Sequence, residues 1–164
     1  MNPLSTKLTQ DHRELDALLR CLAQDAQAPM PGELQATWAL FESKLSRHME
    51  AEERFLLPLL EASDPAEVAR IRLEHARIRN LMTELGVNID LHTARQANVL
   101  ELIELLHDHA KHENGVLYRL AGDKASASVE HGIARLLRHG VAVAASMVAR
   151  AADGPRTDER ARAR

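Results

Sequence analysis

The chain has 164 residues, a length that suits one domain able to bury its own core, and a second full domain would be hard to fit beside it. Aromatic residues make up 2% of it, so the core must be built from Leu, Ile, Val, Met and Ala, a composition that leans all-α. A net charge of -3 gives no general attraction to nucleic acid or to acidic lipid, and no apolar run approaches the roughly 20 residues a spanning helix needs, so neither nucleic acid nor membrane is an expected partner. Cys21 is the single cysteine and cannot form an internal disulfide, and the N-terminus lacks the apolar run of a signal peptide, which points to the cytoplasm.

Taken in chain order, the apolar positions fall into segments that keep the 3-4 spacing of a helix packed in a left-handed bundle. The first carries Leu8, His12, Leu15, Leu19 and Leu22 and stops before a loop marked by Pro29, Pro31 and Gly32. The second carries Leu34, Trp38, Phe41, Leu45, His48, Glu52, Phe55 and Leu59, with Pro58 expected to bend or fray its last turn. In the third, Asp64 is placed to cap the free amides, Pro65 suits the first helical position, and Glu67 is placed to bond back to the cap. Its stripe is Val68, Ile71, His75, Ile78, Met82, Leu85 and Ile89. After a break near His92 and Thr93, the fourth carries Val99, Leu102, Leu106, His109, Glu113, Val116 and Leu120 and should end near Gly122.

A fifth segment, from about Ser126 to Ala152, is rich in Val, Ala and Leu but holds its register poorly, and Gly132 and Gly140 weaken it. It reads as a helix laid on the outside of the bundle or used in dimer contacts, and the apolar stretch from Val141 to Val148 suits a homodimer. The last residues carry Arg156, Arg160, Arg162 and Arg164 diluted by Asp158 and Glu159, the composition of a disordered, solvated tail. The predicted organisation is therefore an up-down four-helix bundle over residues 1–122, an additional C-terminal helix over 123–152 and a basic tail over 153–164.

Six polar residues stand where their helices reserve core positions: His12, His48, Glu52, His75, His109 and Glu113. Burying such groups without partners costs about 1 to 3 kcal/mol for a neutral group and more for a charge. In an up-down bundle, residues equally far from a shared loop lie at the same level, and at roughly 1.5 Å per residue all six fall within about a turn of one another. Four imidazoles and two carboxylates form a mixed nitrogen and oxygen donor set that suits first-row metals, and the lack of cysteine donors argues against a soft-metal or iron-sulfur site. One tetrahedral zinc would need only four of the six. Two ions bridged by the glutamates use them all. His48 and Glu52, like His109 and Glu113, lie one turn apart, so each pair stacks on one face and could ligate from a single helix.

The remaining polar groups have blander readings. His107 and His112 lie near the site but fall off the stripe and read as surface residues, the alternative being support of the ligands from outside; Glu50 and Glu53 read as solvated side chains. His92, His131 and His139 read as loop or surface histidines, Cys21 as a boundary thiol, and Trp38, Phe41 and Phe55 as core. A ferritin-type di-iron oxidase would need Glu-x-x-His on two helices, and the only such spacing near the stripe is Glu104 with His107. A metal-independent interaction bundle, presenting the fifth helix and tail, is the other alternative.

The strings Asp11-His12-Arg13, His48-Met49-Glu50-Ala51-Glu52-Glu53 followed by Phe55 and Pro58, Glu74-His75, and His109-Ala110-Lys111-His112-Glu113-Asn114 followed by Leu117-Tyr118 resemble the hemerythrin-like, or histidine-histidine-glutamate cation-binding, family. The likeness spans about residues 4–122. It implies a four-helix bundle with a non-haem di-iron centre, in which Glu52 and Glu113 bridge two irons and His12, His48, His75 and His109 are terminal ligands. Zinc or manganese would also suit these donors. Oxygen-carrying members have a second histidine one turn after the third-helix ligand, and here that position is Arg79. The missing ligand implies an open coordination position, suited to a small diatomic or oxidant such as O2, NO or peroxide rather than to reversible oxygen storage. Members with fewer histidines include iron and oxygen sensors and proteins that respond to nitric oxide or repair iron-sulfur clusters.

Overall fold

The computed structural model describes residues 3–27 and 33–138. Within them the chain forms α1 (Pro3–Asp25), α2 (Glu33–Ala51), a π-helical turn (Glu52–Leu56), α3 (Leu57–Leu60), α4 (Pro65–Asp90), α5 (Gln96–Gly115), α6 (Leu117–Gly122) and α7 (Ala127–Arg138), and no strand among the described residues. α1 packs on α2 and α5, and α4 packs on the same two helices, which closes the expected all-α four-helix bundle; α7 is the additional helix, seated against α2, the π-turn and α1. Residues 28–32, Val141 to Val148, His139, Gly140 and the arginine-bearing tail lie outside the described residues. Among the described residues no helix is long and apolar enough to cross a membrane.

The stripes bury as their spacing requires, with all seven positions of the third at the core. α4 starts as predicted, with the Asp64 carboxylate accepting from the Glu67 N–H at 3.2 Å and Pro65 in the first turn. Glu67 does not close the expected capping box. The Asp64 N–H donates instead to the Leu60 carbonyl, and the Glu67 side chain turns to His112, its Oε1 2.8 Å from Nε2. α4 ends at the expected break, where His92 takes a positive φ of 57°.

Two register slips depart from the straight-helix reading. Pro58 has no N–H for the Arg54 carbonyl and its ring crowds that turn, and the helix answers by widening: the Leu57 N–H donates to Glu52 O, five residues back, rather than fraying the end. The extra residue moves the core face on by one, so Leu56 and Leu60 are buried where Phe55 and Leu59, both only half-buried, were expected. A second interruption at Val116, with φ -123° and ψ -64°, separates α5 from α6. Leu117, Tyr118 and Ala121 then fill the core in place of Val116 and Leu120.

The apolar core is consequently split in two. One cluster gathers Leu15, Leu19, Phe41, Leu45, Ile78, Met82 and Leu102; the other gathers Leu8, Leu56, Leu60, Ile71, Leu117 and Ile133. Along each of the four long segments the six polar residues fall between these clusters.

α7 explains Gly132. A Cβ there would come within 2.6 Å of Phe55 Cε1, so the glycine that weakens the helix in isolation is what lets it approach the π-turn closely. On this face Ile133 and Leu137 bury themselves beside Leu4, Leu8 and Leu56.

Candidate metal centre

α1 carries His12, α2 carries His48, and Glu52 opens the π-turn that follows; α4 carries His75, and α5 carries His109 and Glu113. Glu52, His75 and Glu113 are fully buried, His48 and His109 nearly so, and the His12 side chain is the most open at 12%. The predicted slab is thus real, and its donor atoms sort into two groups that share both glutamates: His12, His48, Glu52 and Glu113, and Glu52, His75, His109 and Glu113.

The sharing is atom by atom. On one side His48 Nε2 lies 3.2 Å from Glu52 Oε1 and His12 Nε2 3.1 Å from Glu113 Oε2. On the other, His75 Nε2 lies 3.3 Å from Glu52 Oε2 and 3.5 Å from Glu113 Oε1, and His109 Nε2 lies 2.9 Å from that same Oε1. Each carboxylate therefore offers one oxygen to each histidine pair.

A second layer holds the rings. His48 Nδ1 donates to Asp11 Oδ2 at 2.8 Å, and the other oxygen of Asp11 is ion-paired to Lys44, itself buried and 3.0 Å from Glu14. His75 Nδ1 donates to Glu53 Oε1 at 2.8 Å, and His109 Nδ1 to Glu74 Oε2 at 2.8 Å. A carboxylate only accepts, so each Nδ1 carries the proton and each Nε2 is left facing the centre. Asp11 sits one residue before a stripe position, and Glu53 and Glu74 each adjoin a site residue in sequence. That adjacency, which also puts them in the strings that carry the family resemblance, is their signal in the chain. Glu53 is the correction here: it was expected to be solvated, yet it orients His75.

His112, off the stripe as expected, shares Glu74 with His109 at 3.1 Å. His107 is exposed and pairs with Asp16 at 2.8 Å; Glu104 is exposed as well. Arg79 does not enter the site. Both of its terminal nitrogens bind Glu53, at 2.8 and 2.9 Å. Cys21 is a free, half-buried thiol on α1 and belongs to neither donor group.

Tyr118 is the residue that spacing alone missed. The slip at Val116 turns it inward, and its hydroxyl donates to Glu52 Oε1 at 2.5 Å while lying 3.2 Å from Glu113 Oε2. Burial and the two glutamate charges push its phenol well above the usual range.

Electrostatically the centre is a pocket of demand for cations. Burial disfavours every charge in it, but the carboxylates of Glu113, Glu52 and Glu53 carry His75 up to about 11, and His48 and His109 are raised likewise. Against the same burial, the histidines hold Glu113 well below the ordinary carboxylate range.

A metal fits these residues on two counts. His75 Nε2, His109 Nε2, Glu52 Oε2 and Glu113 Oε1 are all buried without a hydrogen-bond partner, although they converge on one another. Leaving four such atoms unsatisfied would cost about 1 to 3 kcal/mol each. The donor set is also the mixed nitrogen and carboxylate kind that first-row metals prefer. Beside the slab, an apolar cavity of about 40 Å³ lined by Leu15, Leu19, Leu45 and Leu106 reaches His12, His48 and His109.

Comparison with curated proteins and with solved structures gives no match. Comparison with protein-family models matches residues 4–121 to the hemerythrin HHE cation binding domain, across the segments that carry all six site residues. The chain belongs to the hemerythrin HHE cation-binding family, whose domains are helical and bind metal cations.

Proposed function

We propose that this chain holds two iron ions in the slab, with Glu52 and Glu113 bridging them and His12, His48, His75 and His109 as terminal ligands, and that it senses or handles O2, NO or iron through them. The carrying observation is the division of each glutamate's two oxygens between two histidine pairs. A single cation would use only one of the two histidine pairs that share the glutamates. Four protein donors per ion would close a tetrahedral zinc but leave a six-coordinate iron open to a further ligand. Bound iron would supply reversible one-electron chemistry and affinity for small ligands.

The protein's share of the work is positioning and exclusion. Asp11, Glu53 and Glu74 fix three of the four rings, and the leucines on one side and Leu56, Leu60 and Leu117 on the other keep bulk water from the slab. The cavity has room for a few atoms at most, which favours a diatomic ligand over an organic substrate. Arg79, bound to Glu53, leaves the place of the fifth histidine without a donor. The exposure of Glu104 and His107 gives a ferritin-type oxidase no core motif to use. The lone Cys21 accords with a reducing compartment.

The test is the metal content of protein purified without chelator, with its optical spectrum in air before and after azide. Near two irons per chain and bands that shift with azide are expected. One zinc, or no transition metal, would overturn the reading.

A further inference from the structure

The hydroxyl of Tyr118 is surrounded by one donor group and no other. It lies 2.5 Å from Glu52 Oε1, 3.2 Å from Glu113 Oε2, 3.2 Å from His12 Nε2 and 3.4 Å from His48 Nε2. Those four atoms are the ones that the His12/His48 side of the slab presents, and the hydroxyl has no such contact with His75 or His109. A phenol has one proton and can donate to one acceptor at a time. Its one proton goes to Glu52 at the shortest distance, and the same oxygen also stands within 3.4 Å of the other three donor atoms of this group, the place a further ligand of that group would take.

We propose that Tyr118 is itself a ligand, its phenolic oxygen binding the cation held by His12 and His48. The inference rests on the two-cation reading above and deepens it. On binding, the phenol loses its proton to solvent and its oxygen donates an electron pair to the cation, whose charge offsets the repulsion between a phenolate and the two glutamates. No oxidant or reductant is needed. Phenolate is a hard oxygen donor of the kind that ferric iron accepts from tyrosine elsewhere.

Two features of the chain deliver the side chain to this place. The interruption at Val116 advances the core face by one residue, so position 118 points between the helices instead of along the α5 stripe. The ring is then buried in the cluster of Leu8, Leu57 and Leu117, and the polar neighbours of its hydroxyl are all members of this one donor group. The two metal positions become unequal: five protein donors at the His12/His48 position and four at the His75/His109 position.

Tyr118 is the single tyrosine of the chain, so any tyrosinate signal belongs to it. The experiment loads the full chain with ferrous iron, oxidises it in air, and records iron per chain, visible absorption and resonance Raman spectra for the wild type and Tyr118→Phe. The expected result is near two irons per chain in both, with a phenolate-to-iron band and tyrosinate ring modes in the wild type that vanish in the variant. Wild-type protein with two irons and no tyrosinate modes would overturn the ligand assignment while leaving the di-iron reading intact. Absence of bound iron would bring down both. Should Tyr118→Phe fail to fold, the wild-type Raman spectrum decides by itself.

Discussion

Arg79 grips Glu53 with both terminal nitrogens of its guanidinium, at 2.8 and 2.9 Å, and Glu53 Oε1 in turn accepts from His75 Nδ1 at 2.8 Å. The residue standing where a fifth histidine would be thus serves the site from outside, by holding the carboxylate that orients a ring. Carboxylates in this position typically contribute 10- to 100-fold to metal affinity. Glu53→Ala should therefore weaken cation binding by about that factor with the helical content unchanged, as read by competition with a coloured chelator. Arg79→Lys should give a smaller loss in the same assay, because an ammonium cannot reproduce the two-pronged contact. Equal affinity in all three proteins would show that Glu53 does not orient His75.

The buried Lys44–Asp11–His48 chain makes a separate prediction about stability. Removing one member of a buried ion pair leaves the other charge uncompensated, at a cost of about 3 to 5 kcal/mol. Asp11→Ala should lower the urea midpoint of the chelator-treated chain accordingly, with Glu14, 3.0 Å from Lys44, absorbing some of the loss. In Asp11→Ala/Lys44→Met no stranded ammonium is left, so most of that stability should return. A double variant no more stable than the single one would contradict the ion-pair account.

The charged centre sets a pH optimum for the chelator-treated chain. His48, His75 and His109 are raised, His75 from 6.5 to about 11, so their ionic contribution is complete below about 6.5 and is lost as pH climbs toward 11. Its carboxylates are depressed, with Glu53 brought from 4.5 to about 2 by the His75 hydrogen bond and then by Arg79. Their share is complete above about 4.5 and is lost as pH falls toward 2. Thermal midpoints should accordingly peak between about pH 4.5 and 6.5. Cations bind the deprotonated rings, so loading should release protons and affinity should rise with pH through the same alkaline range. A midpoint for the chelated chain that climbs steadily up to about pH 9 would show that the imidazoles are not held as cations by the glutamates.

At the α7 contact two opposing effects can be separated. Gly132→Ala gains about 1 kcal/mol of helix propensity, but its new methyl meets Phe55 Cε1 at 2.6 Å, and overpacking costs about 1 to 3 kcal/mol. The variant should be less stable than the wild type. With the ring removed by Phe55→Ala, the same Gly132→Ala change should become stabilising. Denaturation midpoints of the four proteins give the sign, and a change of the same sign in both backgrounds would rule out the steric contact as its cause.

Much of this architecture was legible in the chain. The 3-4 spacing marked the long segments, Asp64 and Pro65 marked a helix start, and the six site residues announced themselves by occupying positions reserved for core. These are local features, set by helical geometry and by the cost of burying polar groups, and local features can be read along a sequence. What the tertiary structure decided were the slips after Glu52 and at Val116, for a periodic stripe extrapolates a straight helix and carries no information about where packing will widen or break it. On those slips depend Leu56 in place of Phe55, Leu117 in place of Val116, and the inward turn of Tyr118. The partners of the rings were hidden for a related reason: Glu53 reads as solvated face, and nothing along the chain pairs Glu74 with a ring, until the neighbouring helix supplies His75 or His109, at sequence separations of 22 and 35 residues. The sequence by itself determined which groups must be buried together, and only the packing of one helix on another decided how each is held.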